Sequence, residues 1–303
     1  MAPYIPPEQR LQVESIAALL PPETRRWFDL RVIDSTGSTN ADLMRDAASL
    51  PSGTVLAAEH QTAGRGRRGR SWIAPAQGSL AFSVLWKFGG KAATLSGLSL
   101  AVGVAVAQGL EEVGARGIVL KWPNDLLARR DVGWAKLGGI LIELSSEPAS
   151  GASTVIGIGL NINLGAAAGD IDQPVADLAG LGCGASRNAV LAAVLRQLGV
   201  MLPAFATSGF APFAEEWNRR HAWRGRNVQL VGEAVGEAVG EAAGEAAGEA
   251  ADGRAGAGGG AAPVSGIARG VAADGALLIE TAAGLQRIVS GDVSLRIAAL
   301  NRP

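Results

Sequence analysis

The chain has 303 residues, 48% of them hydrophobic, with 27 Lys and Arg against 28 Asp and Glu. Its formal net charge of −1 excludes a general field for nucleic acid, so any anion specificity must be local. One cysteine, Cys183, excludes an internal disulfide and a Cys-rich metal centre, and two histidines, His60 and His221, exclude a multi-His one.

From the N-terminus, residues 1 to 30 read as one short helix in "PEQRLQVESIAALL", stopped by Pro21 and Pro22, followed by a connector. The opening has no basic region feeding an apolar run, so no signal peptide is expected, and no run approaches ~18 consecutive apolar residues. With the single cysteine, this fits a cytoplasmic protein without a membrane anchor. Residues 31–222 alternate apolar segments with polar turns. "TVLAAEH", "SLAFSVLWKF", "GIVLKW", "KLGGILIELS" and "STVIGIGLNIN" read as strands, while "LSGLSLAVGVAVAQGLEEVG" and "NAVLAAVLRQLGVMLPAF" read as helices. Helices scattered unevenly among hairpin-like strand pairs favour an α+β domain over a doubly wound sheet. Residues 223–303 are different. "RNVQLV", "PVSGIARGVAADGALLIET" and "GLQRIVSGDVSLRI" read as short strands between Gly and Asp-Gly turns, the pattern of a small all-β barrel. Within it, "VGEAVGEAVGEAAGEAAGEA" and the Gly/Ala-rich stretch after it read as a loop over about 231–262, since a glycine in every turn costs a helix about 1 kcal/mol.

Five stretches carry candidate chemistry. "DSTGSTNADLM" places Ser38, Thr39 and Asn40 before a helix, which is also what an N-cap looks like. "EHQTAGRGRRGRSW" sets Arg65, Arg67, Arg68 and Arg70 among glycines. Guanidinium donors and turned backbone N–H groups suit an anion, and a solvated basic turn or an RNA-backbone contact has the same composition. "KWPNDLL" puts Lys121, Asn124 and Asp125 at a strand terminus, where Asn124 and Asp125 are either plain turn residues or hard oxygen ligands for phosphate-bound Mg²⁺. In "WAKLGGILIE", Lys136 stands at the mouth of an apolar strand whose Gly138 and Gly139 permit close approach by a ligand. "GIGLNIN" ends another apolar strand in small residues and amides, among them Asn161.

Taken together and in this order, these stretches resemble the biotin protein ligase family, densely from Asp34 to Asn163 and onward through "VSGIARGVAADGALLIE" and "GDVSLR". The resemblance implies a mixed-sheet α+β catalytic domain of the biotin/lipoate ligase type over 31–222. It further implies an SH3-like C-terminal domain over 223–303. Some members carry an N-terminal DNA-binding domain, which about thirty residues are too few to form, so no DNA partner is expected. The implied activity is ATP-dependent: biotin becomes biotinyl-5′-AMP with release of pyrophosphate, and then passes to a lysine of a carboxyl carrier domain. That carrier would belong to an acetyl-CoA, propionyl-CoA or pyruvate carboxylase.

By the same resemblance, Ser38, Thr39, Asn40 and Gln61 meet the biotin ureido head, and Arg65, Gly66 and Arg67 close on biotin and its adenylate. Lys136 faces the activated carboxylate. Lys121, Asn124, Asp125, Asn161, Arg70 and Trp72 fall where ATP and Mg²⁺ are held, with Asp125 meeting the metal through phosphates. Catalysis then rests on Lys136, Arg65 and Arg67, with ATP and Mg²⁺ as co-substrate and ion and no tightly bound metal. Oligomeric state, monomer or weak homodimer, stays open. Rival readings are a lipoate ligase of the same fold, a non-catalytic biotin binder and a nucleic-acid-binding regulator.

Overall fold

The computed structural model describes residues 9–73, 75–89, 95–130, 133–147, 151–239 and 264–297. It divides into two units, Met1–Ala222 with Ala273–Gly275 and Trp223–Ala272 with Ala276–Pro303. Where one N-terminal helix is expected there are two, α1 (Val13–Ala18) and α2 (Pro22–Arg25). Pro22 begins the second helix rather than ending the first, because a proline at the first helical position gives up an N–H that has no partner there anyway.

The first unit is built on a seven-stranded mixed sheet. Its strands are β1 (Asp29–Thr36), β2 (Thr54–Gln61), β3 (Ser79–Phe88), β4 (Ile118–Lys121), β5 (Asp125–Arg129), β6 (Trp134–Glu147) and β7 (Gly151–Asn161). They lie in the order β1-β2-β3-β7-β6-β5-β4, with only β1 and β2 parallel. Between β1 and β2 runs helix α3 (Thr39–Asp46), whose Leu43 and Ala47 pack on Leu56, Leu85 and Val155.

The other face of the sheet is covered by α4 (Leu98–Glu112), with Gly103 lying against Leu120 and Ile140. α4 is apolar almost all round and correspondingly buried. Helix α5 (Arg187–Ser208) packs beside it. At 22 residues and mean hydropathy 1.8, α5 is long and apolar enough to cross a bilayer, which the search for consecutive apolar runs passes over. Most of it is buried inside the unit, as in the core helix of a globular domain. A short helix, α6 (Ala214–Arg220), closes the unit. Arg187, at the start of α5, pairs with Glu59 of β2 at 2.5 Å, both side chains almost wholly buried, and the second Glu59 oxygen accepts from Leu11 N at 2.6 Å.

The second unit is a closed SH3-like barrel, β10-β11-β8-β9, formed by β8 (Asn227–Val239), β9 (Ser265–Val271), β10 (Leu277–Thr281) and β11 (Gly284–Ile297). Val228, Leu230, Ala268, Leu277, Ile279 and Leu295 fill it. Here the low-complexity expectation needs correcting. The first repeats, Val231–Val239, are strand, paired with β11 from Ser294 back to Leu285. An existing strand edge supplies ladder partners for a sequence whose own propensity is poor. The remainder of the expected loop lies outside the described residues.

Candidate active site

Reading the pairing register across the sheet shows which side chains share the face that carries α3. Ser83, Gly157 and Leu141 form one row, and Ala81, Gly159 and Gly139 the next, which continues to Asp125 and Lys121. The rows are nearly bare of side chains, leaving space above the sheet. Lys136 reaches the same face through a β-bulge. Leu126 pairs with Gly138 and Leu127 with Lys136, so Leu137 is the extra residue and the strand's alternation reverses there. Without that residue Lys136 would point to the opposite face.

Over these rows lies a cavity whose lining includes Ser38, Thr39, Asn40 and Gln61 at one end, and Arg65, Gly66, Arg67, Arg70, Trp72, Asn124 and Lys136 at the other. Ser38 is both N-cap and cavity wall: its Oγ accepts from Ala41 N at 3.4 Å. Thr39 and Asn40 are buried. Gln61 Oε1 accepts from Thr39 N at 2.8 Å, and Asn40 lies so close over Gly157 that a Cβ there would stand 2.2 Å from Asn40 Oδ1. This end holds neutral donors and acceptors.

The opposite end is cationic. Residues 64–72 fold into a tight loop, with Gly66 N donating to Arg70 O at 2.7 Å and Trp72 N to Gly64 O at 2.8 Å. Arg68 takes the left-handed conformation at φ 63°. Arg67 Nη1 reaches Asn124 Oδ1 at 3.4 Å, and Asn124 Nδ2 is fixed by Ile140 O at 2.9 Å. The Trp72 ring lies directly on Gly159, where a Cβ would meet it at 2.5 Å, and Lys136 Nζ stands 5.7 Å from the ring centroid. The buried Trp72 indole N–H has no partner among the described residues. Beyond Trp72 a second cavity opens, lined by Arg70, Trp72, Lys136, Asn161 and Gln173 among others.

Asp125 sits between two ammonium groups, Lys136 Nζ at 2.8 Å and Lys121 Nζ at 3.5 Å. Burial pushes the Asp125 carboxyl up, but the two lysines more than reverse this and hold it below the usual carboxylate range. Burial lowers Lys121, and repulsion from Lys136 and Arg70 lowers it further, against the attraction of Asp125. Both Asp125 oxygens are held by lysine, so a phosphate-bound Mg²⁺ would have to share them with Lys121 and Lys136. Among the described residues no three His, Cys, Asp or Glu side chains group to hold a metal ion. Asn161 is fixed from one side only. It is buried, and its Nδ2 is taken by Lys136 O at 3.1 Å and Ala176 O at 3.0 Å, leaving only Oδ1 for a ligand. Of the two glycines expected to admit a ligand, Gly139 faces the cavity, while Gly138 is pressed against Gly159 O inside the sheet.

Sequence reasoning missed Ser83, Glu143 and Gln173. For the first two a signal exists, since one serine in "LAFSVLW" and one glutamate in "GILIEL" interrupt otherwise apolar runs. Gln173 lines both cavities from an irregular segment held to β6 by Lys136 N donating to Pro174 O at 2.9 Å. Nothing in its local sequence marks it.

Residues 30–163 match the biotin/lipoate A/B protein ligase family, and residues 257–296 match the biotin protein ligase C terminal domain. The bifunctional ligase/repressor BirA of Escherichia coli is 33% identical over 270 residues, covering 89% of this chain and 74% of that protein. The biotin–[acetyl-CoA-carboxylase] ligase of Mycobacterium tuberculosis is 42% identical over 179 residues, 57% of this chain and 63% of that one. Among solved structures, the biotin protein ligase from Aquifex aeolicus in complex with biotin and ATP superimposes with TM-score 0.70 at 28% identity, covering 89% of this chain and 99% of that one.

Proposed function

This chain belongs to the biotin protein ligase family, and from that membership we propose that it activates biotin with ATP and transfers it to a lysine of a carboxyl carrier domain. The observation that carries this reading is the polarity of the cavity: neutral hydrogen-bonding groups (Ser38, Thr39, Asn40, Gln61) at one end, cations (Arg65, Arg67, Lys136) at the other. A cyclic urea with an acid tail has the complementary polarity. Its uncharged head is satisfied without burying a charge, and its carboxylate reaches the guanidinium and ammonium groups.

In the first step a carboxylate oxygen attacks the α-phosphorus of ATP and pyrophosphate leaves. In the second the carrier lysine's amine attacks the acyl carbon of the mixed anhydride and AMP leaves. No enzyme nucleophile is needed. Lys136, Arg65 and Arg67 hold the carboxylate and the α-phosphate together and offset the charge that develops as the bonds exchange. The cavity shared by Arg70, Trp72, Lys136 and Asn161 suits the nucleotide. Asp125 orients the two lysines, and Mg²⁺ would arrive on the ATP phosphates and offset their charge there rather than reside on a protein cluster. The arginine loop, closed over the anhydride, keeps water from it. The carboxyl carrier domain of a biotin-dependent carboxylase is the natural acceptor.

Biotin-dependent exchange between ATP and labelled pyrophosphate tests the reading. It is expected with biotin and absent with lipoate, and its absence with biotin sinks the proposal. Lys136→Ala and Arg67→Ala are each expected to slow that exchange, or the retention of the adenylate, by roughly 10²–10³-fold, the usual loss when one preorganised charge-stabilising donor is removed. Unchanged biotinylation of a carrier by both variants would withdraw their assigned roles.

A further inference from the structure

A chain of side-chain hydrogen bonds runs from the neutral end of the cavity to Glu143 on β6, which does not line the cavity. Asn40 Nδ2 donates to Glu143 Oε2 at 2.7 Å and to Leu141 O at 3.3 Å. Ser83 Oγ donates to Asn40 Oδ1 at 2.6 Å. Thr39 Oγ1 lies 2.7 Å from Ser83 Oγ and 3.1 Å from Gln61 Oε1. Thr39, Asn40 and Ser83 are buried, so no bulk water adjusts the count of hydrogens.

That count has one solution. A carboxylate only accepts, so Glu143 fixes which end of the Asn40 amide points toward it, and Asn40 presents its oxygen to Ser83. Ser83 has one hydroxyl hydrogen and gives it to Asn40. Thr39 has one hydrogen for two contacts, Gln61 Oε1 at 3.1 Å and Ser83 Oγ at 2.7 Å, and with Ser83's hydrogen committed to Asn40 it goes to Ser83, the shorter contact and the one that would otherwise hold no hydrogen. This leaves both lone pairs of Thr39 Oγ1 unspent, and Gln61 Oε1, which already accepts from Thr39 N at 2.8 Å, keeps one. Were Asn40 turned the other way, every hydroxyl in the chain would reverse. Thr39 would then accept from Ser83 and donate to Gln61, and one acceptor position would vanish at each residue.

We infer that Glu143 is a positioning residue that sets the direction of this chain, so that the cavity offers acceptors to a ligand bearing N–H donors. The inference rests on the biotin reading, in which the ureido ring brings two N–H groups. Glu143 acts through Asn40 and Ser83 and touches no reacting atom.

The test is calorimetric titration of the full chain with biotin and with its carbamate analogue, in which a ring oxygen replaces one ureido N–H. Wild type should prefer biotin by at least about tenfold, because an unspent acceptor meets oxygen in the analogue. Glu143→Leu and Ser83→Ala should each reduce that preference severalfold, whereas Glu143→Gln, which keeps an acceptor oxygen, should retain most of it. Equal loss of both ligands, with their ratio unchanged in Glu143→Leu and Ser83→Ala, overturns the inference and leaves only a packing role. If Glu143→Leu does not fold, Ser83→Ala decides alone. Failure of wild type to bind biotin is a separate result that removes the functional reading itself.

Discussion

Two ammonium groups share the Asp125 carboxylate, Lys136 at 2.8 Å and Lys121 at 3.5 Å, and all three side chains are largely buried. A neutral amide at position 125 would leave two buried cations facing each other and Arg70, without the carboxylate that offsets their desolvation. Removing one partner of such a group costs on the order of 3 kcal/mol, more than the group gains when intact. Asp125→Asn is therefore expected to lower the unfolding free energy by about that amount at neutral pH. The sign of the pH dependence follows from the carboxyl's position below its usual range. A depressed acid contributes stability that is complete above its unfolded pKa and is lost as pH falls through the folded one. Urea midpoints of wild type and Asp125→Asn should stand apart at neutral pH and converge as pH falls below the ordinary carboxylate range. A gap that keeps its width through and below that range would show that the carboxylate is not what holds the lysines.

At the scale of elements, the site is a property of the β7 and β6 surfaces as much as of the loops above them. Gly157 and Gly159 let Asn40 and Trp72 lie directly on β7, while Gly138 is pressed against the next strand's backbone, 2.7 Å from Gly159 O to a Cβ placed there. Three alanine substitutions should accordingly separate. Gly157→Ala and Gly159→Ala displace side chains that can move, so binding of biotin and ATP respectively should fall at least about tenfold while the sheet persists. Gly138→Ala meets backbone that cannot move and should cost stability, about 1–3 kcal/mol, before it costs affinity. Thermal unfolding read alongside ligand titration distinguishes the two patterns, and a uniform response would contradict this division of roles. Five of the first unit's seven strands were legible, all but β1 and β5, as was the run of motifs, because "GSTN", the arginine loop and "KWPND" sit at strand and helix ends where residue type is diagnostic. What alternation could not reveal was the bulge at Leu137. A single inserted residue leaves no mark in composition, yet it decides which face carries Lys136. Strand β5 leaves no legible signal for a related reason: its five residues are too few to show a period.

For the molecule as a whole, two units of different class follow from a change in pattern near residue 222, long helices before it and closely spaced strands after it. The second unit was legible as a barrel but not in its strand lengths. "GLQRIVSGDVSLRI" looks like two strands broken at a glycine and is one strand of 14 residues, its partner being the repeat that looks like a loop. Low propensity is overridden there by a ladder that the sequence of β8 alone does not display. This arrangement sets a length requirement on the chain between β8 and β9. Leu230 N donates to Val264 O at 2.9 Å and β9 begins opposite Gln229, whereas Val239 lies at the far end of β8 opposite Leu285. At about 3.3 Å per residue, Val239 stands about 30 Å from Leu230, and the connection must return over that distance, which takes at least about nine extended residues. Trimming Gly240–Pro263 to about twelve residues is therefore expected to leave the barrel's unfolding temperature unchanged, because closing a loop depends only weakly on length above the minimum. Trimming it to about four cannot span the gap. The repeat residues of β8 must then peel from β11, exposing Ile288, and the unfolding temperature should fall by about 5 °C or more. Circular dichroism melts of the two deletions decide the matter, and an unchanged melt for the shorter one would mean that β8 does not continue through the repeat.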